Sequence, residues 1–178
     1  MILIFDLDDT LYDESTYVMS GFRAVAEFAG QAFGWNVDQS LNEMITLFEN
    51  NGRGSVFDDW LLSRGYFSKK LVRNCLHVYR HHTPHISITT EIRELLEELR
   101  ESYPLYIVTD GHKVVQKRKI AALGIAPFFK RIFITHCFGI HHAKPSLHCF
   151  NLIRSAESVE WNALVYFGDN PAKDFVNL

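Results

Sequence analysis

The sequence has little excess charge and little cysteine. Its 18 lysines and arginines stand against 21 acidic residues, which gives a formal net charge of −3. Nucleic-acid-binding modules usually carry a basic excess or a basic stripe, so we expect no nucleic-acid partner. Cys75, Cys137 and Cys149 are widely spaced and form no C-x-x-C pair. Separated thiols of this kind are typical of a reducing compartment rather than of a disulfide framework.

Long apolar runs are missing as well. No stretch approaches the ~20 apolar residues that cross a bilayer, so we expect no membrane partner. The apolar opening segment Met1–Phe5 is short, lacks a cationic leader and runs directly into acidic residues, unlike a signal peptide. Hydrophobic residues make up 47% of the chain, which is enough for a packed core. We therefore expect a cytoplasmic protein, and nothing in the sequence indicates its oligomeric state.

Four short apolar segments are predicted to be β-strands. They are rich in β-branched and aromatic residues and do not alternate cleanly, as is typical of parallel strands covered on both faces. The predicted strands are Ile2–Phe5, Leu105–Val108, Arg131–Thr135 and Ala163–Phe167. Three helices are predicted around the later strands. They are Thr90–Glu101 before the second strand, His112–Leu123 before the third with Gly124 as C-cap, and Pro145–Ala156 before the fourth. This alternation predicts an α/β fold with a doubly wound parallel sheet.

Residues 13–88 break the alternation. They contain no convincing strand, and apolar residues recur at helical spacing, as in Phe22, Val25 and Ala26. We predict about four helices here, interrupted near residues 50–54, inserted into a core made of residues 1–12 and 89–178. The chain stops shortly after Asp174, where a doubly wound domain usually continues, so we expect the last core elements to be missing.

Chemically useful residues follow the predicted strands. Asp6 and Asp8 follow the first strand, Thr109 the second, and Asp169 the fourth, while Lys144 comes a short loop after the third. In open α/β sheets, ligands bind beyond the carboxyl ends of the strands. We therefore expect these residues to converge on one cleft although they are far apart in the sequence.

This set of residues suits phosphoryl chemistry. Paired carboxylates can hold Mg²⁺, which prefers oxygen ligands, and they can also divide nucleophilic attack from proton transfer. Thr109, followed by Asp110 and Gly111, offers a hydroxyl and close backbone N–H groups to a phosphate oxygen. Lys144 can neutralise charge on a transferring phosphoryl group. Taken one at a time, each position also has an ordinary structural explanation, such as a helix cap or a solvated surface side chain.

The order of these residues resembles the four motifs of the haloacid dehalogenase (HAD) superfamily. The segment Asp6–Thr10 is similar to the first motif, D-x-D-x-[TV], and Thr109 and Lys144 stand at the second and third. The segment Gly168–Asp174 is similar to the fourth, G-D-x-x-x-x-D. The insertion at residues 13–88 resembles the family's C1 cap, which selects substrates. The resemblance implies a Rossmann-like HAD core with an inserted helical cap.

The resemblance also implies roles and a Mg²⁺ cofactor. Asp6 would be the nucleophile and a metal ligand. Asp8 would be the general acid/base, with its backbone carbonyl on the metal. Asp169 would bind the metal, and Asp174 would support the metal or Lys144.

Thr109 and Lys144 would hold the phosphoryl group, beside Asp110 and Gly111. Dehalogenases of the superfamily characteristically lack an acid at the position of Asp8, so its presence favours phosphoryl transfer. We therefore predict a phosphatase that hydrolyses a small phosphorylated metabolite, a nucleotide or a sugar phosphate, through an aspartyl-phosphate. A phosphomutase or other phosphotransferase of the same fold, and a non-catalytic module that binds a phosphorylated ligand, remain alternatives.

Two further features have functional and structural interpretations. Arg53 lies between two glycines in the insertion, where a mobile loop could bring its cation to a second anionic group of the substrate. A solvated turn is the alternative. Two groups could suggest a zinc site, but their spacings match no familiar finger: His81 and His82 with His85, and His136 with Cys137, His141 and His142.

Overall fold

The computed structural model describes residues 1–177. The chain divides into two compact units, one formed by Met1–Glu14 with Ile86–Leu178 and the other by Ser15–His85. The first unit contains all the strands of the described residues, and the second is helical. No helix within residues 1–177 is long and apolar enough to cross a membrane.

A parallel sheet lies at the centre of the α/β unit. Within residues 1–177 it has four strands, β1 Ile2–Phe5, β2 Leu105–Thr109, β3 Arg131–Ile134 and β4 Leu164–Phe167. Their order is β3-β2-β1-β4, so β1 pairs with β2 on one side and with β4 on the other. Leu3, for example, lies opposite Leu105 and Val165. The predicted α/β fold with a parallel sheet is confirmed.

Burial differs between the inner and the outer strands. Every residue of β1 and β2 is buried, as the apolar pattern predicts. In contrast, Arg131 at the start of β3 is exposed, and Phe167 at the end of β4 is 41% exposed. In β3 the consecutive residues Phe133 and Ile134 are both buried, so the second half of this strand is covered on both faces as predicted. The prediction is wrong for β4, an edge strand of the described sheet, which has no fully buried residue.

Four helices belong to the α/β unit: α5 Thr90–Ser102, α6 Lys113–Leu123, α7 His148–Glu157 and α8 Pro171–Asp174. Single 3-10 turns occur at Ala126–Phe128, Thr135–Cys137, Ile140–His142 and Trp161–Ala163.

The ends of α6 and α7 test two details of the sequence pattern. Gly124 ends α6 in the left-handed conformation with φ 64°, which confirms it as the C-cap. The prediction that Pro145 opens the next helix is wrong, because α7 begins at His148 and the Lys144–Pro145 peptide is cis. The residues before α7 thus form a loop, which carries Lys144.

The helical unit packs its own core. Its helices are α1 Glu14–Phe33, α2 Val37–Asn51, α3 Val56–Ser63 and α4 Lys69–His81. The side-chain oxygens of Asn36 and Ser68 accept backbone N–H groups at the starts of α2 and α4. Trp60 lies fully buried among aliphatic and aromatic side chains and donates its indole N–H to Glu43 over 3.0 Å.

We predict that Trp60→Ala strongly destabilises the helical unit. Removing a fully buried indole leaves a large cavity, so the free energy of unfolding should fall by about 3–5 kcal/mol. Urea denaturation followed by far-UV circular dichroism measures the change. Leu62→Ala is the matched control, because this side chain of the same helix is 64% exposed. Equal unfolding midpoints for the two variants would contradict the packing described here.

Candidate functional site

Three of the predicted site residues, Asp6, Thr109 and Asp169, lie at the carboxyl edge of the sheet. Asp6 directly follows β1, and its backbone N–H donates to the carbonyl of Phe167 at the end of β4 over 2.8 Å. Thr109 is the last residue of β2 and is fully buried, and Asp169 follows two residues after β4. Because neighbouring parallel strands end at the same edge, these side chains start from adjacent positions.

Lys144 is the charged centre of this edge. Its Nζ lies 2.9 Å from Asp6 Oδ1 and 2.6 Å from Asp174 Oδ1. The same nitrogen lies 2.9 Å from the hydroxyl of Tyr166, which in turn donates to Asp174 Oδ1 over 2.9 Å. Lys144, Asp6 and Asp174 are all buried. A buried charge is stable only when it is paired, and here one ammonium is paired with two carboxylates.

Burial and pairing shift these groups in different directions. Burial raises the pKa of Asp6 to about 6, although the Lys144 ammonium opposes the shift. Burial opposes the charged form of Lys144, but Asp6 and Asp174 together raise the pKa of the ammonium. Burial likewise opposes ionisation of Asp174, but its bonds to Lys144 and to the Asn170 N–H lower the pKa of that carboxyl.

Three of the carboxylates could hold a divalent cation. Asp6, Asp169 and Asp174 each offer an oxygen, and these oxygens lie within 4.8 Å of one another. Asp6 Oδ1 is buried and, apart from its ion-pair contact with Lys144, has no aligned hydrogen-bond donor. Three ionised carboxylates against one ammonium leave two negative charges, and hard cations prefer oxygen donors. The donor set therefore fits a divalent cation such as Mg²⁺.

Asp110 holds the loop that carries Lys144. Its Oδ1 accepts the hydroxyl of Thr135 over 2.6 Å and the backbone N–H of Lys144 over 3.0 Å. The carboxylate of Asp110 is thus engaged with the Thr135 hydroxyl and the Lys144 backbone, and its contact with substrate remains a prediction. Through Asp110, the end of β2 sets the position of Lys144, which follows β3 in the chain.

Asp8 belongs to a separate network. Its Oδ1 accepts the Tyr12 hydroxyl over 2.7 Å and lies 2.7 Å from Lys119 Nζ. Its Oδ2 accepts the side-chain N–H of Gln116 over 2.8 Å. The carboxylate of Asp8 therefore lies outside the three-carboxylate group of Asp6, and a metal contact through its backbone carbonyl stays a prediction.

Thr109 is joined to the Asp8 network through Gln116. Gln116 Nε2 lies 2.8 Å from Thr109 Oγ1 and 2.7 Å from the carbonyl of Asp110. Gly111 has φ 133°, a conformation that favours glycine, and a Cβ there would lie 3.1 Å from Gln116 Cδ, so the Gln116 side chain would have to shift slightly. The amide of Gln116 thus connects Asp8 with the hydroxyl predicted to bind phosphate.

A model of the haloacid dehalogenase-like hydrolase family matches residues 3–176. The chain belongs to this family. It is therefore an enzyme of the HAD hydrolase type, as the motif order predicts.

Two curated relatives of this HAD hydrolase are named as phosphatases. The glyceraldehyde 3-phosphate phosphatase of Methanocaldococcus jannaschii is 29% identical over 181 residues, which cover 97% of this chain and 77% of the relative. The enzyme of the same name from Pyrococcus furiosus is 25% identical over 179 residues, covering 97% of this chain and 74% of the relative.

Among solved structures, the HAD hydrolase YfnB of Bacillus subtilis, determined with bound magnesium, has the same fold. The two chains superpose with a TM-score of 0.70 at 22% identity, over 99% of this chain and 81% of YfnB. At this identity the comparison shows the fold of the HAD hydrolase and no more.

Several polar residues of the site escape prediction from the sequence. Gln116 and Lys119 are buried on α6 at the spacing of core residues, together with Leu123. Their polar side chains at core spacing could have indicated a buried polar network, because a buried lysine needs a charged partner. The sequence does not distinguish Tyr166 as a site residue, since an aromatic residue in a strand is typical of an ordinary core position.

Arg53 lies in the helical unit, in the loop between α2 and α3, and its role toward substrate remains a prediction. Within residues 1–177, Asp6, Asp169 and Asp174 form the one group of three potential metal-binding side chains with close ligand atoms. Residues 1–177 of the HAD hydrolase therefore contain no group of histidines whose ring nitrogens are close enough together for a zinc site.

We predict that Gly168→Ala destabilises the carboxyl edge. An added Cβ would lie 2.6 Å from Asp174 Oδ2, and this carboxylate cannot move aside without leaving Lys144 and the Asn170 N–H. Overpacking of this kind should lower the free energy of unfolding by about 1–3 kcal/mol in urea denaturation. Gly54→Ala is the control, because a Cβ there meets no atom within 4 Å. Equal stability of the two variants would contradict the close approach.

Proposed function

We propose that this HAD hydrolase is a magnesium-dependent phosphatase that hydrolyses a small phosphate monoester through an aspartyl-phosphate intermediate. The observation that carries the proposal is the buried Asp6 carboxylate, in contact with Lys144 and next to two further carboxylates. This arrangement unites a nucleophile with a cation for the phosphoryl oxygens. The phosphatase names of the curated relatives support the same reaction class.

The proposed first step is an in-line attack. A carboxylate oxygen of Asp6 forms a bond to phosphorus, and the bond from phosphorus to the ester oxygen breaks with its electron pair going to that oxygen. Asp8, in its protonated form, gives its proton to the leaving oxygen, so an alcohol departs. Lys144 and Thr109 contact the phosphoryl oxygens, whose charge spreads in the transition state.

The second step releases phosphate. Asp8, now ionised, takes a proton from water, and the water oxygen attacks the phosphorus of the aspartyl-phosphate. The bond between phosphorus and the Asp6 oxygen breaks, which restores both carboxyl groups to their starting states. One residue thus acts first as an acid and then as a base, and phosphoryl transfer needs this alternation because its leaving group is an alcohol.

Asp6, Asp169 and Asp174 are the proposed Mg²⁺ residues, with the Asp8 carbonyl as a further candidate. When bound, Mg²⁺ would neutralise charge on the phosphoryl oxygens and orient the ester. The fit of three carboxylates to a divalent cation supports this assignment.

The proposed substrate is a small phosphorylated metabolite, and glyceraldehyde 3-phosphate deserves a place in the first assays because of the relatives' names. We propose residues 13–88 as a cap that selects the ester, with Arg53 as a candidate for a second anionic group. Asp110 and Gly111 are proposed to assist Thr109 through their backbone N–H groups. A panel of triose phosphates, other sugar phosphates and nucleotides tests the substrate class.

We predict that Asp6→Asn abolishes hydrolysis. The amide is not a nucleophile toward phosphorus, so turnover of p-nitrophenyl phosphate should fall by at least about 10⁴-fold. Mass spectrometry of acid-quenched parent enzyme should detect phosphate on the peptide that contains Asp6. Asp38→Asn, at an exposed carboxylate of the helical unit, is the control. Activity that survives Asp6→Asn, or its absence from a folded, magnesium-loaded parent sample, would overturn the assignment.

We predict that activity requires Mg²⁺ and that Asp169→Asn weakens its binding. Treatment with a chelator should remove activity, and added Mg²⁺ should restore it. Asp169→Asn replaces a charged ligand by a neutral one, so the Mg²⁺ concentration for half-maximal activity should rise by at least about tenfold. Glu160→Gln is the control, because its exposed carboxylate lies in the same α/β unit as Asp169, and the Mg²⁺ concentration for half-maximal activity should stay unchanged. An identical Mg²⁺ titration for Asp169→Asn and the parent would exclude Asp169 as a ligand.

A further inference from the structure

Lys119 is a buried lysine that the proposed reaction does not use. Its side chain is 2% exposed, and its ammonium lies 2.7 Å from Asp8 Oδ1 and 2.9 Å from Glu14 Oε1. An isolated buried ammonium would be strongly destabilising, so these two carboxylates are essential to its position. Lys119 extends from the middle of α6, while both carboxylates come from the segment that follows β1.

Asp8 is held by donors on both of its oxygens. Oδ1 accepts from the Tyr12 hydroxyl and from Lys119, which together occupy the two lone-pair directions of that oxygen. Oδ2 accepts from Gln116 Nε2 alone among residues 1–177. One lone-pair direction of Oδ2 therefore stays open to a proton.

The position of Gln116 shows which side of Asp8 faces the phosphoryl group. The nitrogen that donates to Asp8 Oδ2 also lies 2.8 Å from Thr109 Oγ1, the hydroxyl proposed to contact phosphate. Oδ2 and that hydroxyl thus share one neighbour, whereas Oδ1 is directed to Lys119 and Tyr12. The oxygen with the open lone pair is therefore the one near the proposed phosphoryl site.

We propose that Lys119 is a positioning residue for the general acid: it binds Oδ1 of Asp8 and so presents Oδ2 to the leaving oxygen of the ester. The inference rests on the proposed phosphatase function. In the step it serves, the Oδ2–H bond breaks and its proton forms a bond to the ester oxygen as the bond from phosphorus to that oxygen breaks. Glu14 keeps the Lys119 ammonium paired throughout.

The effect of the leaving group on the rate distinguishes a positioning role of Lys119 from a merely structural one. An alkyl ester needs a proton from Asp8, because an alkoxide is a poor leaving group. A p-nitrophenyl ester departs readily as the phenolate and needs little acid assistance. A loss of Asp8 positioning should therefore slow the first turnover of the alkyl ester selectively, whereas a general loss of folded enzyme would slow both esters equally.

The experiment compares first-turnover rates of the parent, Lys119→Met and Lys117→Met with glyceraldehyde 3-phosphate and with p-nitrophenyl phosphate. Lys117 is exposed on the same helix and is the matched control. For Lys119→Met we expect about 100-fold slower release from the alkyl ester, the scale of general acid catalysis, and less than about threefold change in the nitrophenolate burst. Lys117→Met should match the parent with both esters.

A second variant covers the case in which Lys119→Met does not fold. Tyr12→Phe removes one donor to Asp8 Oδ1 without leaving a buried charge unpaired, and it should show a smaller loss with the same preference for the alkyl ester. Equal slowing of both esters, or no slowing of either, in the folded variants would overturn the proposal. If the parent enzyme does not hydrolyse glyceraldehyde 3-phosphate, an alkyl ester of the substrate panel that it does hydrolyse takes its place. A folded, magnesium-loaded parent enzyme that hydrolyses neither p-nitrophenyl phosphate nor any ester of the panel would instead overturn the phosphatase function itself.

Discussion

The buried ion pairs of Lys144 hold the carboxyl edge of the sheet together. Asp6 directly follows β1, Asp174 ends the short helix α8 that follows the adjacent strand β4, and both carboxylates are buried. Side by side, two such groups would repel each other and lose their hydration, so they need a cation between them. Lys144 supplies that cation from the loop before α7, and Asp110 fixes that loop through its backbone. The same contacts shape the only three-carboxylate group within residues 1–177.

A second constraint is the divergence of Asp6 and Asp8, which are two residues apart. Leu7 between them is fully buried, and the chain leaves β1 into a turn at Asp9, which has φ 51° and caps the start of α1 through its carboxylate. Asp6 therefore forms an ion pair with Lys144, while Asp8 accepts hydrogen bonds from Gln116 and Lys119 of α6. The two carboxylates have different surroundings, which is the physical basis for giving them different roles.

The local parts of this structure were predictable. Buried inner strands produce continuous apolar runs, so β1 and β2 were recognised, and Gly124 marked the end of α6 because a left-handed cap favours glycine. The errors concern long-range context. Coverage of β4 depends on its place at the edge of the described sheet, and the start of α7 at His148 depends on the loop that places Lys144.

By itself, the sequence determined which chemical groups follow each strand, because the order of apolar run and polar residue is a local property. That was enough to predict Asp6, Thr109, Lys144 and Asp169 at one edge. Only the tertiary structure decided the partners of each carboxylate. Lys119 sits at core spacing on a helix, and spacing alone identifies a buried face but not what that face meets. Its contact with Asp8 joins residues 111 positions apart, and three-dimensional packing alone creates it.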